Sequence, residues 1–355
     1  MSLRSAVLHL IRAVGGFALA QHLTRKQLRI LCYHGFAIGD EYEVAPYMFM
    51  RAQTFERRMQ ILRRRGVPVI ALDQAVKQFA RGDIHHAETV ITLDDGWASN
   101  LTIGLPVLKK YGYPACIYIT TEHLAASTEV FNVVLTYMLQ RTRQETLHLQ
   151  GVHPQLDGEY AIGKDLDGSA HALIAGAEAA FPLAERQQFL PTLAAALNLD
   201  FDAVMANGRF RLLTPEEIKT LFDAGVDIQL HTHTHRLPAE SFEAMRTEIE
   251  ENRKAVLQLI GKEQHHFCFP SGVYDRRHPQ WLAKLGIASA TTCDPGFNGP
   301  NESVLLLKRY LDNEYESDIE FEAEVAGVRE LARKLRHLLS GGSASAVGAT
   351  VPADR

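Results

Sequence analysis

Short apolar runs rich in β-branched residues recur along the chain, with helical patterns between them, and this alternation constrains the fold more than any other feature. The runs are Arg29–Tyr33, Pro68–Leu72, Thr89–Leu93, Ala115–Ile119, Asp227–Leu230, His266–Phe269, Ala288–Thr292 and Val304–Leu307. Helical patterns cover Gln53–Arg65, Leu72–Arg81, Leu101–Tyr111, Pro215–Ala224, Ser241–Ile260 and Pro279–Leu285. Strands that are apolar along their whole length are covered on both faces, and alternating β and α units build a parallel sheet clad in helices. About eight such units suit a closed or nearly closed barrel better than an open sheet. Thr214-Pro215-Glu216-Glu217 supplies a helix start: an N-cap threonine, proline at the first helical position and a capping-box glutamate.

The rhythm breaks between Thr121 and Leu213. A helical pattern around Val130–Arg143 leads to a hairpin pattern over Leu147–Ile162, followed by the alanine-rich stretch His171–Ala196. This predicts a mostly helical insertion on one βα loop, where barrels build substrate clefts. The organisation expected is a helical segment over 1–27, a barrel over 28–327 with an insertion at about 122–213, the end of a C-terminal helix over 328–339, and a small, polar, disordered tail over 340–355.

Composition narrows the partners. The formal charge is −5, so neither nucleic acid nor an anionic membrane is attracted by the chain as a whole. Cys32, Cys116, Cys268 and Cys293 form no close pair and read as small hydrophobes. No run approaches the ~20 apolar residues that a membrane span needs. At the N-terminus, Ala13–Ala20 mimics a weak export signal, but Arg12 interrupts the apolar run. The reading favoured is an amphipathic helix, with Leu3, Val7, Leu10 and Ile11 near one face, able to touch a membrane surface. The expected location is therefore cytoplasmic or membrane-peripheral, the alternative being export.

Two constellations carry chemistry. Thr92-Leu93-Asp94-Asp95-Gly96-Trp97 runs an apolar strand into adjacent carboxylates. Leu230-His231-Thr232-His233-Thr234-His235 follows another strand. His231 and His235 share a side if the segment makes one helical turn, whereas His231, His233 and His235 share a face if it is extended. One carboxylate with two imidazoles makes a borderline-soft metal site with open positions, and the second carboxylate is left to act as a base. The same donor set occurs in non-haem iron oxygenases, but those carry it in another order and on an all-β fold.

Together these motifs resemble those of the polysaccharide deacetylases, the NodB-homology carbohydrate esterases. Asp94-Asp95-Gly96 is similar to their first motif, His231–His235 to their H-[ST]-x-x-H, and Phe267-Cys268-Phe269-Pro270-Ser271-Gly272 to their third. Ile30-Leu31-Cys32-Tyr33-His34 resembles the start of one branch. The resemblance implies an α/β fold, a distorted (β/α)7-type barrel. It implies one divalent metal ion, zinc first and cobalt, nickel or iron as alternatives, bound by Asp95, His231 and His235. Asp94 becomes the general base and His233 a neighbour. An arginine often found in the third motif is missing, and Arg309, after a later strand, is the candidate to orient Asp94. No histidine follows Arg309 until His337, so His34 is the candidate general acid, expected on the face of the metal opposite Asp94. A backbone N–H near Ser271 or Gly272 is expected to stabilise the oxyanion. The implied activity is removal of N-acetyl, less readily O-acetyl, groups from a glycan or glycan precursor. The rival reading is a non-catalytic carbohydrate-binding protein on the same fold.

Overall fold

The computed structural model describes residues 3–125, 129–239 and 241–339. Seven strands form one curled parallel sheet: β1 Arg29–Tyr33, β2 Thr89–Leu93, β3 Cys116–Ile119, β4 Asp227–Leu230, β5 His266–Cys268, β6 Ser289–Thr291 and β7 Tyr310–Leu311. Their spatial order is β6-β5-β4-β3-β2-β1-β7, so consecutive strands are neighbours except at the last step. The fold is the distorted (β/α)7 barrel that the motifs imply.

Two of the eight apolar runs are not strands. Pro68–Leu72 makes one bridge, Val69 to Thr89, and then becomes the start of helix Leu72–Arg81. Val304–Leu307 makes one bridge, Leu307 to Thr291. Both runs are apolar because they pack, but pairing extends over too few residues to form a ladder. The seventh strand lies just beyond, at Tyr310–Leu311, where neighbouring charges hide it from a hydropathy reading. Leu307 nonetheless joins the sheet's ends: its N–H donates to Ala290 O (2.8 Å) and its carbonyl accepts from Thr292 N–H (2.9 Å). Tyr310 and Leu311 then pair with Leu31 and Cys32.

Side chains alternate across a strand, and this parity positions the site. Leu31, Tyr33, Ile91, Leu93, Ile117, Ile119, Ile228 and Leu230 pack in the main core with Phe55, Met59, Leu221, Ile249 and others from the helical layer. The other set, Ile30, Val90, Cys116, Tyr118 and Cys268, forms a second core with Leu72, Val76 and Phe79 of helix Leu72–Arg81. Continuing that second set past the strand ends reaches His34, Asp94 and His231.

The insertion builds its own core. Helices Phe131–Arg141, Leu166–Ala180 and Leu183–Ala196 gather Val134, Leu135, Met138, Leu173 and Leu193, beside an antiparallel pair, Leu147–Leu149 with Gly158–Tyr160. Its exit returns to the barrel next to the first motif, where Ala98 N–H donates to Arg211 O (2.9 Å) and Leu213 N–H to Gly96 O (2.8 Å). Helices Leu3–Ala13 and Gly16–Leu23 pack on Asp318–Val325 through Leu8, Phe17, Ile319, Ala323 and Ala326. The tail 340–355, expected to be disordered, lies outside the described residues.

Candidate metal centre and active site

Parity directs Asp94 inward but would send Asp95 into the helical layer. The backbone corrects this: Asp95 has φ 71°, in the left-handed region, which turns its carboxylate back toward the barrel mouth. Trp97, fully buried, donates its indole N–H to Asp95 Oδ2 (3.1 Å) and fixes that orientation. The histidine loop uses the same device, with Thr232 at φ 65° and His235 at φ 60°.

The result is a cluster. Asp95 Oδ1 lies 3.3 Å from His231 Nε2 and 3.4 Å from His235 Nε2. The donor atoms of all three residues fall within 4.8 Å of one another. His231 Nδ1 is 2.9 Å from the carbonyl of Cys268. A carbonyl can only accept, so Nδ1 carries the proton and Nε2 of the neutral ring carries a lone pair aimed at Asp95. Two lone pairs facing each other at this range require a cation between them, either a proton or a metal ion. Burial disfavours charge on His231, but Asp95 and Asp94 outweigh it and raise its pKa, as expected where a proton stands in for a metal. The three donors therefore fit a divalent ion, with the Cys268 carbonyl fixing the ligating tautomer of His231.

His233 is directed elsewhere. Its Nδ1 is 2.9 Å from the Thr121 hydroxyl, which also accepts from Asn252 Nδ2 (3.0 Å). Two residues one turn apart on helix Phe242–Ile260 clamp this loop, and the motifs did not single them out. Asn252 Oδ1 accepts from His231 N–H (3.0 Å). Glu248 accepts from the N–H groups of His233 (3.0 Å) and Thr234 (2.9 Å) and from the Thr234 hydroxyl (2.9 Å). A third unforeseen residue is His123, on the turn Glu122–Ala125, whose pKa is lowered by burial first and then by His235.

Asp94 sits deeper, 3% exposed. Arg309 grips it with both terminal nitrogens, Nη1 to Oδ1 and Nη2 to Oδ2, each 2.8 Å. The guanidinium is fully buried and also donates to Thr292 O and the Thr92 hydroxyl. The thiols of Cys32 and Cys268 stand 3.5 Å from Asp94 Oδ2, and burial keeps them protonated. Burial opposes charge on Asp94, yet Arg309 prevails and holds its pKa at about 2. The residue that orients the deeper aspartate thus comes from the barrel-closing segment and not from the third motif.

His34 does not stand across the site from Asp94. Strands β1 and β2 pair in register, Tyr33 opposite Leu93, so the residues that follow are cross-strand neighbours of one parity. His34 Nε2 lies 4.0 Å from Asp94 Oδ2, and its buried Nδ1 has no hydrogen-bond partner among the described residues. In the third motif, Gly272 has φ 67°, and a Cβ there would meet Cys293 at 2.5 Å, so glycine is required. Its N–H is already spent on Phe269 O (2.9 Å). That removes Gly272 as an oxyanion donor and leaves Ser271, which is exposed at φ 53°.

Residues 181–290 match the family model for polysaccharide deacetylases. This stretch belongs to the polysaccharide deacetylase family. It contains the histidine loop and the third motif, while Asp94, Asp95 and Arg309 lie outside it and are brought in by the fold. The same fold extends over most of the chain. The Streptococcus pyogenes deacetylase PplD, solved with acetate, superposes with TM-score 0.56 at 15% identity, covering 84% of this chain and 98% of that one. IcaB from Ammonifex degensii gives 0.55 at 16%, covering 84% and 97%. A Bacillus cereus polysaccharide deacetylase gives 0.53 at 17%, covering 84% and 69%. A search of curated proteins gave no significant sequence match. The barrel is flanked by a cavity of about 720 Å³ between loop 41–48 and the insertion helices. Arg236, directly after His235, lines it and pairs with Glu178 (2.6 Å).

Proposed function

We propose that the protein is a metal-dependent hydrolase that removes N-acetyl groups from an acetylated glycan or glycan precursor. The observation that carries this reading is the convergence of Asp95, His231 and His235 beside an Arg309-bound Asp94. A carboxylate and two imidazoles favour zinc, with cobalt, nickel or iron as competitors for the same donors. A divalent ion held there supplies Lewis acidity to the acetyl carbonyl and lowers the pKa of a water toward ~7.

The chain's own residues supply the rest. Asp94, ionised and fixed by Arg309, accepts the proton of the attacking water. The Ser271 N–H is the backbone donor for the oxyanion, a role that the turn at Pro270–Gly272 leaves open to it. His34, next to Asp94 on the neighbouring strand, protonates the departing amine. The products are acetate and a free amino sugar. The cavity beside Arg236 is where neighbouring groups of the substrate would lie.

The test is metal content together with acetate release from N-acetylglucosamine oligomers. Wild-type protein should hold close to one equivalent of a first-row divalent metal. His231→Ala and His235→Ala should each lower metal content and turnover together. Unchanged metal occupancy in both variants would overturn the ligand assignment, and metal-loaded wild type releasing no acetate would overturn the activity.

A further inference from the structure

Helix Leu3–Ala13 buries one face and leaves an apolar stripe on the other. Leu8 is buried toward Ile319 and Ala323, and Arg4 and Arg12 reach Glu320 (3.1 Å) and Glu322 (3.0 Å) on the same supporting helix. Leu3, Val7, Leu10 and Val14 stand at i, i+4, i+7 and i+11, a single side of the helical cylinder. They are 83%, 48%, 65% and 75% exposed. Helix Gly16–Leu23 repeats the pattern, burying Phe17 and Ala20 while exposing Leu19 and Leu23. Helix Val328–Leu339, packed against it, exposes Leu335, Leu338 and Leu339. Most of the large exposed apolar side chains among the described residues lie on these three helices, whereas the barrel and insertion expose few. Scattered exposed leucines are ordinary, but stripes on adjoining helices mark a surface that something covers.

Charge indicates what covers it. Residues 3–27 contain four basic and no acidic residues, and 328–339 four basic and one acidic, in a chain whose formal charge is −5. Several of these cations pair with Glu320, Glu322 and Glu324 beneath them, but Arg25, Lys26 and Arg336 have no carboxylate within ion-pair distance among the described residues. A second copy of the same face would bring like charge against like charge. A phosphate-bearing surface brings the opposite sign. The helices have 11, 8 and 12 residues, and the first two meet at 79°. No single described helix is long and apolar enough to cross a membrane, so the face is suited to lie in the interface plane.

We propose that Leu3–Ala13, Gly16–Leu23 and Val328–Leu339 together form a docking face for an anionic lipid surface. Helix Gly16–Leu23 leads through Thr24 into the N-terminal end of β1, whereas the metal-ligand cluster lies past the C-terminal strand ends. The proposal does not depend on which sugar is deacetylated.

The experiment is co-sedimentation of the full chain with phosphatidylcholine vesicles, with and without phosphatidylglycerol. Wild type should pellet with the anionic vesicles and be released by salt, which screens the electrostatic part. Leu10→Glu combined with Val14→Glu replaces exposed residues only, and should weaken binding ~10-fold or more. Lys26→Glu combined with Arg336→Glu should weaken binding to the anionic vesicles and leave the melting temperature and metal content as in wild type. Wild type that stays in the supernatant with both vesicles, or variants that pellet like wild type, would overturn the proposal. So would a wild-type dimer that Leu10→Glu with Val14→Glu turns into a monomer, since the face would then serve self-association.

Discussion

The catalytic end of the barrel and the insertion are both well buried, yet they bury opposite kinds of residue. The insertion core is built of apolar side chains, and its left-handed backbone positions are Gly151, Asn198, Asn207 and Gly208, residue types that tolerate that conformation well. The catalytic end buries Asp94, His231 and Arg309, and it places Asp95, Thr232 and His235 in the same left-handed region. Thr232 is β-branched and gains nothing locally from this. Strain of this kind costs about 1–3 kcal/mol per residue and persists only where surroundings over-determine it. Glu248, Asn252 and Trp97 provide those surroundings. The insertion is built for stability and shape, and the barrel end is built to hold charges and conformations that stability alone would remove.

Arg309→Met should show the largest effect. It leaves a buried carboxylate without its cation, which costs about 3–5 kcal/mol when one partner of a buried pair is lost. Asp94 would then take up a proton and cease to be a base, a loss of about 10²–10⁴ in rate. Chemical denaturation and acetate release measure the two effects, and Asp94→Asn should match the rate loss with metal retained. Wild-type turnover in Arg309→Met would make the pair purely structural.

His34→Ala should come next, near the lower end of that range at ~10² in turnover on an amide. Metal content should hardly move, because His34 is not one of the three donors Asp95, His231 and His235. An activated ester, whose leaving group needs no proton, should be affected less. Equal losses on ester and amide would assign His34 to positioning Asp94 instead of protonating the amine.

Leu193→Ala, in the insertion core, should affect turnover least. A buried leucine truncated to alanine costs about 2–5 kcal/mol. Turnover per folded molecule on a short oligomer should nonetheless stay within about twofold, and metal content should be unchanged. A collapse of turnover in well-folded Leu193→Ala would mean that the insertion holds the Asp95 loop, through the Leu213–Gly96 and Ala98–Arg211 hydrogen bonds, more tightly than the packing suggests.

What could be read from the sequence follows the same division. Six of the seven strands, carried in short runs with apolar or β-branched side chains, were legible, and so were the motif histidines and carboxylates, because residue type and strand position together limit their use. Tyr310–Leu311 was not: a two-residue strand between Arg309 and Asp312 has no hydropathy signature, and Val304–Leu307 drew the strand assignment instead. The clamp residues were hidden for another reason. Glu248 and Asn252 sit in a helix with charged neighbours, where their i, i+4 spacing looks like a solvated face. Only the loop that they hold distinguishes them. The position of His34 depended on which strand lies beside β1, and on the in-register pairing with β2, neither of which periodicity encodes.

The segment from Leu307 to Leu311 touches β6 at one end and β1 at the other, with Arg309 between. The cation that governs the deeper aspartate is thus delivered by the stretch that joins the last-made part of the barrel to the first. During synthesis, Asp94, Asp95 and both histidines leave the ribosome well before Arg309, and a chain lacking it would hold the metal donors without the partner that keeps Asp94 ionised. Competence for chemistry would then arrive in one step, when the barrel closes, and an unfinished chain would have little capacity to act on whatever glycan it met.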